Sequence, residues 1–214
     1  MGCLGHANHG IKALGKFRII VLTADTDLPG EAGVIRQLFG EGMDTLHLRK
    51  TSCTPDQLRA YLDRIPAEYY SRIVLHSHFG LLEEYPLKGV HLNSRSPEYT
   101  GPKPVHKSKS LHTLQDLLES PRYDYVFISP VFESISKPGH MPSIGNTELA
   151  DTICTVKAGK GSPVIGLGGV NESNAGILKN MGFDGAALLG YLWADAGQEK
   201  TVERFKKIRE AVEQ

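Results

Sequence analysis

The sequence predicts a single α/β domain in which strands and helices alternate around a closed barrel. Short, apolar, β-branched segments recur about every 25 residues. Segments with helical spacing of apolar residues lie between them, and this alternation predicts a parallel sheet. The 214 residues leave room for eight such units, which predicts a (β/α)8 TIM barrel near its lower size limit. The alternative is an open doubly wound sheet, which would use about five or six strands and leave two without a place.

The predicted strands are short runs rich in Val, Ile and Leu. The first, at residues 17–23, is apolar along its centre, as expected for a strand that is buried on both faces. The fifth is the weakest of the set because Lys and Ser interrupt it. The eight predicted strands are 17–23, 44–50, 72–78, 88–93, 105–110, 123–129, 163–169 and 183–189.

Capping residues and apolar spacing predict the helices. Thr54 is expected as an N-cap with Pro55 at the first helical position, and Asn171 as the cap of a helix that ends near residue 182. The other helices are predicted at 31–42, 113–119 and 199–213, with short helical segments from residue 79 and at 191–194. No linker-like stretch divides the chain. We therefore expect one domain over residues 16–214, preceded by a flexible leader at 1–15.

Composition and charge exclude several classes of function. Lys and Arg total 24, as do Asp and Glu, so no net field attracts nucleic acid. No apolar run approaches the roughly 20 residues of a membrane span. The three cysteines form no CxxC pair, and residues 1–15 lack the apolar core of a secretory signal. These features predict a cytoplasmic protein that acts on a small molecule.

The loops that follow the predicted strands 7 and 8 are candidates for phosphate binding. In a barrel of this kind the active site lies at the carboxyl ends of the strands. Gly168 and Gly169 end strand 7 before a helix, and Leu189 and Gly190 end strand 8 before a short helical segment. Exposed amides at such positions bind phosphate. The alternative is that the glycines only make tight turns.

Other polar side chains collect at the remaining strand ends, and we expect five of them to contact substrate or phosphate: His47, Arg49, Lys50, His76 and Ser110. The whole set is His47, Arg49 and Lys50 after strand 2; His76, Ser77 and His78 after strand 3; His91 on strand 4; Ser110 and His112 after strand 5; and Ser134, Ser136 and Lys137 after strand 6. His112 is a candidate proton shuttle at neutral pH. Several imidazoles at one barrel mouth could also ligate zinc. No carboxylate or cysteine completes such a set, so we expect pocket walls rather than a metal site.

Six segments resemble the thiamine phosphate synthase/TenI family in order and spacing. They are 46–49, 89–92, 110–114, 124–138, 163–171 and 182–189, and the resemblance spans roughly residues 17–193. It implies a (β/α)8 barrel with one of two activities. A synthase joins a pyrimidine methyl diphosphate to a thiazole phosphate with Mg²⁺ and releases diphosphate. A TenI-type enzyme converts the thiazole carboxylate phosphate to its aromatic tautomer without a metal.

The thiazole-phosphate half of the resemblance carries over well. Ser134, Ser136 and Lys137 match the family's Thr-x-Thr-Lys-like loop, which implies phosphate contacts and a catalytic role for Lys137. Gly168, Gly169, Leu189 and Gly190 match its phosphate cradle, although Gly190 stands where a Ser is usual. His112 matches the acid/base position of the tautomerases.

The pyrimidine-diphosphate half departs from the family pattern. The family's Gln-x-Arg-Glu-Lys motif is replaced by the segment from His47 to Thr51, in which Arg49 is kept and Lys50 is displaced. An Asn-Asp pair is replaced by His76 and Ser77, and a second acidic position by Ser96. Ser and His are poor ligands for Mg²⁺. We therefore expect Arg49, Lys50 and Lys137 alone to offset a diphosphate.

These features together predict a barrel that binds thiazole phosphate and acts as a TenI-like tautomerase, with no cofactor. One alternative is a thiamine phosphate synthase that uses Mg²⁺ and also binds the pyrimidine methyl diphosphate. Another is a non-catalytic thiazole phosphate binder or regulator. A homodimer stays open, because Tyr191 and Trp193 would suit either the core or an interface.

Overall fold

Eight parallel strands close into a barrel in the order in which they occur along the chain. The computed structural model describes residues 16–102, 105–133, 145–194 and 197–214. The strands are β1 Arg18–Leu22, β2 Thr45–Leu48, β3 Ile73–Leu75, β4 Gly89–Leu92, β5 His106–Leu111, β6 Tyr125–Ile128, β7 Val164–Leu167 and β8 Gly185–Leu188. The barrel closes where β1 pairs with β8. The predicted (β/α)8 barrel is confirmed, and residues 1–15 and 134–144 lie outside the described part of the chain.

Helices cover the outside of the barrel. They are α1 Glu31–Gly40, α2 Pro55–Leu62, α3 Leu114–Glu119, α4 Asn146–Ala158, α5 Ala175–Asn180, α6 Gly190–Trp193 and α7 Gln198–Glu213. Short 3-10 helices at Ala67–Arg72 and Phe79–Glu83 precede and follow β3. The units are therefore unequal: a single 3-10 turn joins β3 to β4, whereas α7 buries Phe205, Ile208 and Val212 over four turns.

Capping residues explain where two of the predicted helices begin. The Thr54 hydroxyl accepts a hydrogen bond from the Gln57 N–H, and the Gln57 side chain accepts one in return from the Thr54 N–H. Thr113 and Asp116 form the same reciprocal pair at the start of α3. The cap expected at Asn171 is wrong. Its side chain accepts hydrogen bonds from Ser173 within a turn, and α5 begins only at Ala175.

The inside of the barrel is divided into an apolar half and a polar half. Because strand residues alternate in direction, one set of side chains packs under the helices and the other fills the barrel. The apolar half of the interior comes from β1, β6, β7 and β8 and consists of Ile20, Leu22, Phe127, Ile165 and Ala187, together with the ring of Tyr125. The polar half comes from β2 to β5 and contains the buried residues His47, His76, His91 and Ser108. The packed centre of this barrel therefore carries titratable groups.

Candidate functional site

The loop after β7 is held against the loop after β6 by its two glycines. Gly168 and Gly169 have φ of 97° and 68°, a region that favours glycine. The Val131 N–H donates to the Leu167 carbonyl (3.0 Å), and the Phe132 N–H donates to the Gly168 carbonyl (3.1 Å). A Cβ atom at Gly169 would lie 2.4 Å from the Glu133 carbonyl oxygen. Close backbone approach, and not the turn alone, therefore requires glycine here.

Backbone N–H groups of this loop and of the next are available to a ligand. The Gly169 carbonyl accepts a hydrogen bond from the Asn174 side chain (2.9 Å). The N–H groups of Gly168, Gly169 and Gly190 donate to no other residue in the described ranges. Leu167 pairs with Ala187, so the two loops follow adjacent strands and open on the same side of the barrel mouth. This arrangement is able to cradle an anion such as phosphate.

Replacing Gly169 by Ala should weaken phosphate binding and destabilise the fold. A non-glycine residue at this φ costs about 1–2 kcal/mol, and the Glu133 carbonyl must also shift. We expect the affinity for inorganic phosphate, measured by calorimetry, to fall about tenfold or more, as the loss of one hydrogen bond to a charged group implies.

Gly33→Ala is the matched control for this substitution. Gly33 lies within α1, and a Cβ atom there would meet nothing within 4 Å. This variant should be more stable by roughly 0.5–1 kcal/mol, with phosphate affinity unchanged. Equal phosphate affinity in the Gly169→Ala and wild-type proteins would contradict a cradle at the β7 loop.

The β8 loop is anchored to the first strand by Trp193. The Trp193 indole Nε1–H donates to the Leu22 carbonyl (2.7 Å), and its backbone N–H donates to the Leu189 carbonyl (3.2 Å). Trp193 is buried. The sequence allowed either a core or an interface position for Tyr191 and Trp193. The structure places Trp193 in the core. It fixes Leu189 and Gly190, which start α6 at the barrel mouth.

His112 lies exposed at the mouth, and one of its ring nitrogens is held by the backbone. Its Nδ1 is 3.0 Å from the Ser129 carbonyl oxygen. A carbonyl only accepts hydrogen bonds, so Nδ1 carries the proton in the neutral ring and Nε2 carries the lone pair. Leu111 pairs with Ile128, which places His112 and Ser129 side by side at the ends of β5 and β6. The ring is thus oriented with Nε2 as a proton acceptor.

The sequence predicts His47 at the barrel mouth, but the structure places its side chain inside the barrel. Its side chain is completely buried, with Nδ1 2.9 Å from His76 Nε2 and Nε2 2.5 Å from the Tyr125 hydroxyl. Burial, followed by the neighbouring His76 and His91 rings, holds the pKa of His47 well below its usual value. Burial also raises the pKa of Tyr125. The neutral His47 ring therefore contacts other protein groups.

His76 and His91 complete a cluster of three buried imidazoles. The His91 ring nitrogens lie 2.9 Å from the Ser108 hydroxyl and 2.8 Å from the Ser110 hydroxyl. Burial and the charge of Arg49 lower the pKa of His76 to about 3. Burial and the neighbouring His76 lower the pKa of His91 as well. Ser110, expected as a substrate contact, is joined to this cluster. His78 is not, because its Nε2 binds the Cys53 carbonyl (2.6 Å).

Lys50 does not reach the mouth as a free cation. Its Nζ lies 2.6 Å from the Glu31 carboxylate and donates to the Thr26 carbonyl (2.7 Å). The side chains of Lys50 and Glu31 are completely buried. The expected diphosphate contact therefore does not fit this geometry, because the charge of Lys50 is already paired. This pairing could not be predicted from the sequence, because Glu31 begins α1, 19 residues before Lys50.

Asp25 and Arg95 are further residues of the mouth, and neither was predicted as a site residue from the sequence. The Asp25 carboxylate accepts hydrogen bonds from the Thr51 N–H (2.7 Å) and hydroxyl (2.9 Å). Although burial acts to raise it, the pKa of Asp25 is lowered by these bonds and by Arg49 and Arg95. Asp25 follows the end of β1, so the rule that active sites lie at strand ends could have found it.

The described residues of the mouth do not fit Mg²⁺. This ion needs hard anionic oxygen ligands. The Asp25 carboxylate is hydrogen-bonded to Thr51. His76 and Ser77 replace the Asn-Asp pair of the family pattern, and Ser96 replaces its second acidic residue. Within the described ranges, one set of three potential ligand residues converges, and all three are histidines. Ser134, Ser136 and Lys137 lie outside the described residues, so their expected phosphate contacts stay predictions.

One family profile and a curated protein are similar to this chain over most of its length. The family profile described as thiamine monophosphate synthase matches residues 20–192. The thiamine-phosphate synthase of Desulfitobacterium hafniense (strain DSM 10664 / DCB-2) is 25% identical over 166 residues, which cover 72% of this chain and 78% of that protein.

Two solved structures are also similar. The thiamine phosphate pyrophosphorylase from Bacteroides thetaiotaomicron has a TM-score of 0.80 and 35% identity, and the match covers 92% of this chain and 98% of that one. The thiamine phosphate pyrophosphorylase from Pyrococcus furiosus has a TM-score of 0.73 at 19% identity, covering 92% and 96%, and shows the fold alone. No helix in the described part of this chain is long and apolar enough to cross a membrane.

Proposed function

Since this chain belongs to the thiamine monophosphate synthase family, we propose that it binds a thiazole phosphate at the barrel mouth and acts as a thiazole tautomerase. The observation that carries the proposal is the orientation of His112. Its Nδ1 is bound to the Ser129 carbonyl, which leaves Nε2 as the basic nitrogen on the exposed side of the ring. A base held in this way suits the movement of one proton on a bound ring.

The reaction would be a 1,3-proton shift on the thiazole carboxylate phosphate. His112 Nε2 removes a proton from one ring position, and the imidazolium that forms returns it at the other. Atoms and charge balance without a metal or a second substrate. The Ser129 carbonyl stabilises the imidazolium through the Nδ1–H bond while the proton is on Nε2.

Anchoring of the phosphate would hold the ring beside His112. The N–H groups of Gly168, Gly169 and Gly190 are the expected donors, together with Ser134, Ser136 and Lys137 from the loop after β6. The phosphate carries no part of the bond changes, so its role is to fix the ring relative to Nε2. We therefore propose that the Lys137 ammonium offsets the negative charge of the phosphate. The family resemblance implies a catalytic role for this residue in addition.

The second candidate function is thiamine phosphate synthesis. It is favoured by the name of the 35% identical solved structure, a thiamine phosphate pyrophosphorylase, and by the names of the curated relatives. It is opposed by the mouth residues: the Asp25 carboxylate is bound to Thr51, and Lys50 is paired with Glu31. Arg49 and Arg95 would then be the described cations nearest to a diphosphate.

One assay separates the two functions. The purified full chain is incubated with the thiazole carboxylate phosphate, alone or with the pyrimidine methyl diphosphate and Mg²⁺, and the products are followed by mass spectrometry and proton NMR. We expect conversion between thiazole tautomers without Mg²⁺, and no thiamine phosphate above a control without enzyme. Mg²⁺-dependent thiamine phosphate at an enzymatic rate would replace the tautomerase by the synthase. If the thiazole binds but neither incubation yields a product, the protein is a non-catalytic thiazole phosphate binder.

A further inference from the structure

The rings of the three buried histidines pack against one another, with centroids 4.4 to 5.1 Å apart. His47 and His91 lie on β2 and β4, His76 directly follows β3, and the pairing of Leu75 with Val90 places His76 beside His91. One nitrogen from each ring lies within 4.8 Å of the other two, and the His47 Nδ1 to His76 Nε2 distance is 2.9 Å. Ligand nitrogens around a tetrahedral zinc ion stand about 3.3 Å apart, given metal–nitrogen bonds of about 2.0–2.1 Å. Small side-chain rotations would therefore bring all three to one ion.

The donor set selects the class of metal. Imidazole nitrogen suits zinc, copper and nickel, whereas Mg²⁺ prefers carboxylate, carbonyl and water oxygens. No carboxylate belongs to the cluster. A set of three histidines leaves a fourth position open, which is the pattern of catalytic rather than structural zinc sites. The barrel interior thus offers a site of a chemistry unlike that of the magnesium-dependent synthases.

The outer partners of these rings are those that metal-binding histidines require. A ligating imidazole is usually held by a hydrogen bond at its second nitrogen. With Nδ1 of His47 turned to the ion, its Nε2 keeps the Tyr125 hydroxyl at 2.5 Å. Either nitrogen of His91 is able to ligate, because Ser108 holds one and Ser110 holds the other. A buried imidazole needs a partner at each ring nitrogen, so an ion that binds His91 would replace one of these two hydroxyls.

We propose that His47 Nδ1, His76 Nε2 and one nitrogen of His91 bind a single borderline divalent transition-metal ion, represented by Zn²⁺. Three neutral imidazoles leave the charge of the ion uncompensated, since no carboxylate belongs to the cluster. An anionic group, either hydroxide or an oxygen of a small acid, would therefore occupy the fourth position. His91 is completely buried, and Ser110, whose hydroxyl holds one of its nitrogens, is partly exposed.

Metal uptake by the untagged full chain tests the site. Co²⁺ serves as the spectroscopic probe, because tetrahedral nitrogen coordination gives strong visible bands, and bound zinc is counted by mass spectrometry after growth in zinc-supplemented medium and dialysis. The wild type should hold one equivalent and show the tetrahedral Co²⁺ spectrum. His91→Gln should bind at least a hundredfold more weakly and lose the spectrum.

His106→Gln is the matched control. His106 lies on β5, and the centroid of its ring is 4.9 Å from that of Tyr125. It is a partly buried histidine near the three, but it lies outside their cluster. It should retain the metal. Cys3, His6 and His9 remain in every variant, so any ion that they bind cancels in the comparison.

Tyr125→Phe tests the site if His91→Gln does not fold. Loss of an outer partner typically weakens a site by about 10- to 100-fold without removing a ligand. Tetrahedral Co²⁺ bands in the wild type that weaken in Tyr125→Phe support the site. The proposal is overturned if the wild type takes up no metal by either route, or if its uptake equals that of His91→Gln or Tyr125→Phe. The three histidines would then be a metal-free hydrogen-bonded network.

Discussion

His112→Asn should lower the rate of thiazole tautomerisation by about 10²- to 10⁴-fold, the usual contribution of a positioned acid–base group. The Asn side chain keeps a donor for the Ser129 carbonyl but has no group that takes up a proton near pH 7. Binding of the thiazole phosphate should change by less than threefold, because the expected phosphate donors lie after β6, β7 and β8. Turnover is measured by NMR, and binding by calorimetry with the non-reacting aromatic product.

His78→Asn is the matched control for His112→Asn. His78 also lies at a strand end and also binds a backbone carbonyl through its ring, that of Cys53. Its φ of 52° is one that Asn tolerates well among non-glycine residues. This variant should keep turnover within about threefold of the wild type. If His112→Asn turns over as fast as His78→Asn, His112 is not the acid–base group.

Lys50→Met should destabilise the protein by about 3–5 kcal/mol, as should Glu31→Leu, because each leaves one charge buried without its partner. The pair is 2.6 Å apart, and both side chains are completely buried. The double variant Glu31→Leu/Lys50→Met removes both charges. Its free energy of unfolding should lie within about 2 kcal/mol of that of the wild type, because well-packed apolar groups replace a buried ion pair with little loss of stability. Urea unfolding followed by circular dichroism gives all four free energies.

The exposed pair Lys207 and Glu203 provides the comparison. These residues lie one helical turn apart on α7, 2.8 Å from each other and largely in solvent. Lys207→Met should leave the unfolding midpoint nearly unchanged, since exposed pairs contribute little. The interpretation fails if Lys50→Met is as mild as Lys207→Met. It also fails if the double variant loses the sum of the two single effects.

Local sequence signals were enough for the barrel. Seven of the eight strands were predictable because each is an apolar run flanked by turn residues, and their predicted segments extend past the observed ends by one to three residues. The fifth, which Lys and Ser interrupt, carries a weaker signal, and its predicted segment ends one residue before Leu111. Thr54 and Thr113 carry their capping partners three residues away, so those helix starts are also local. The helix α4 was left without a prediction. Leu149, Ile153 and Val156 show helical spacing, but Gly145 at its N-cap offers no side-chain hydrogen bond.

The site was less predictable because its contacts join residues far apart in the chain. Strand-end reasoning placed Gly168, Gly169 and His112 correctly at the mouth. It could not show that Lys50 is paired with Glu31, because no periodic pattern relates a strand end to the first residue of a preceding helix. It also placed His47 one level too high. The direction in which His47 points follows from strand alternation, but its depth in the barrel depends on the strand register.

Closure of the barrel also has a consequence during synthesis. β1 is made first, and its free edge is covered only when β8 pairs with it through Arg18↔Gly185 and its neighbours. Until the ribosome has released β8, the growing chain exposes two unpaired strand edges, and such edges favour association with other chains. Premature termination before Gly185 would leave both edges open for good.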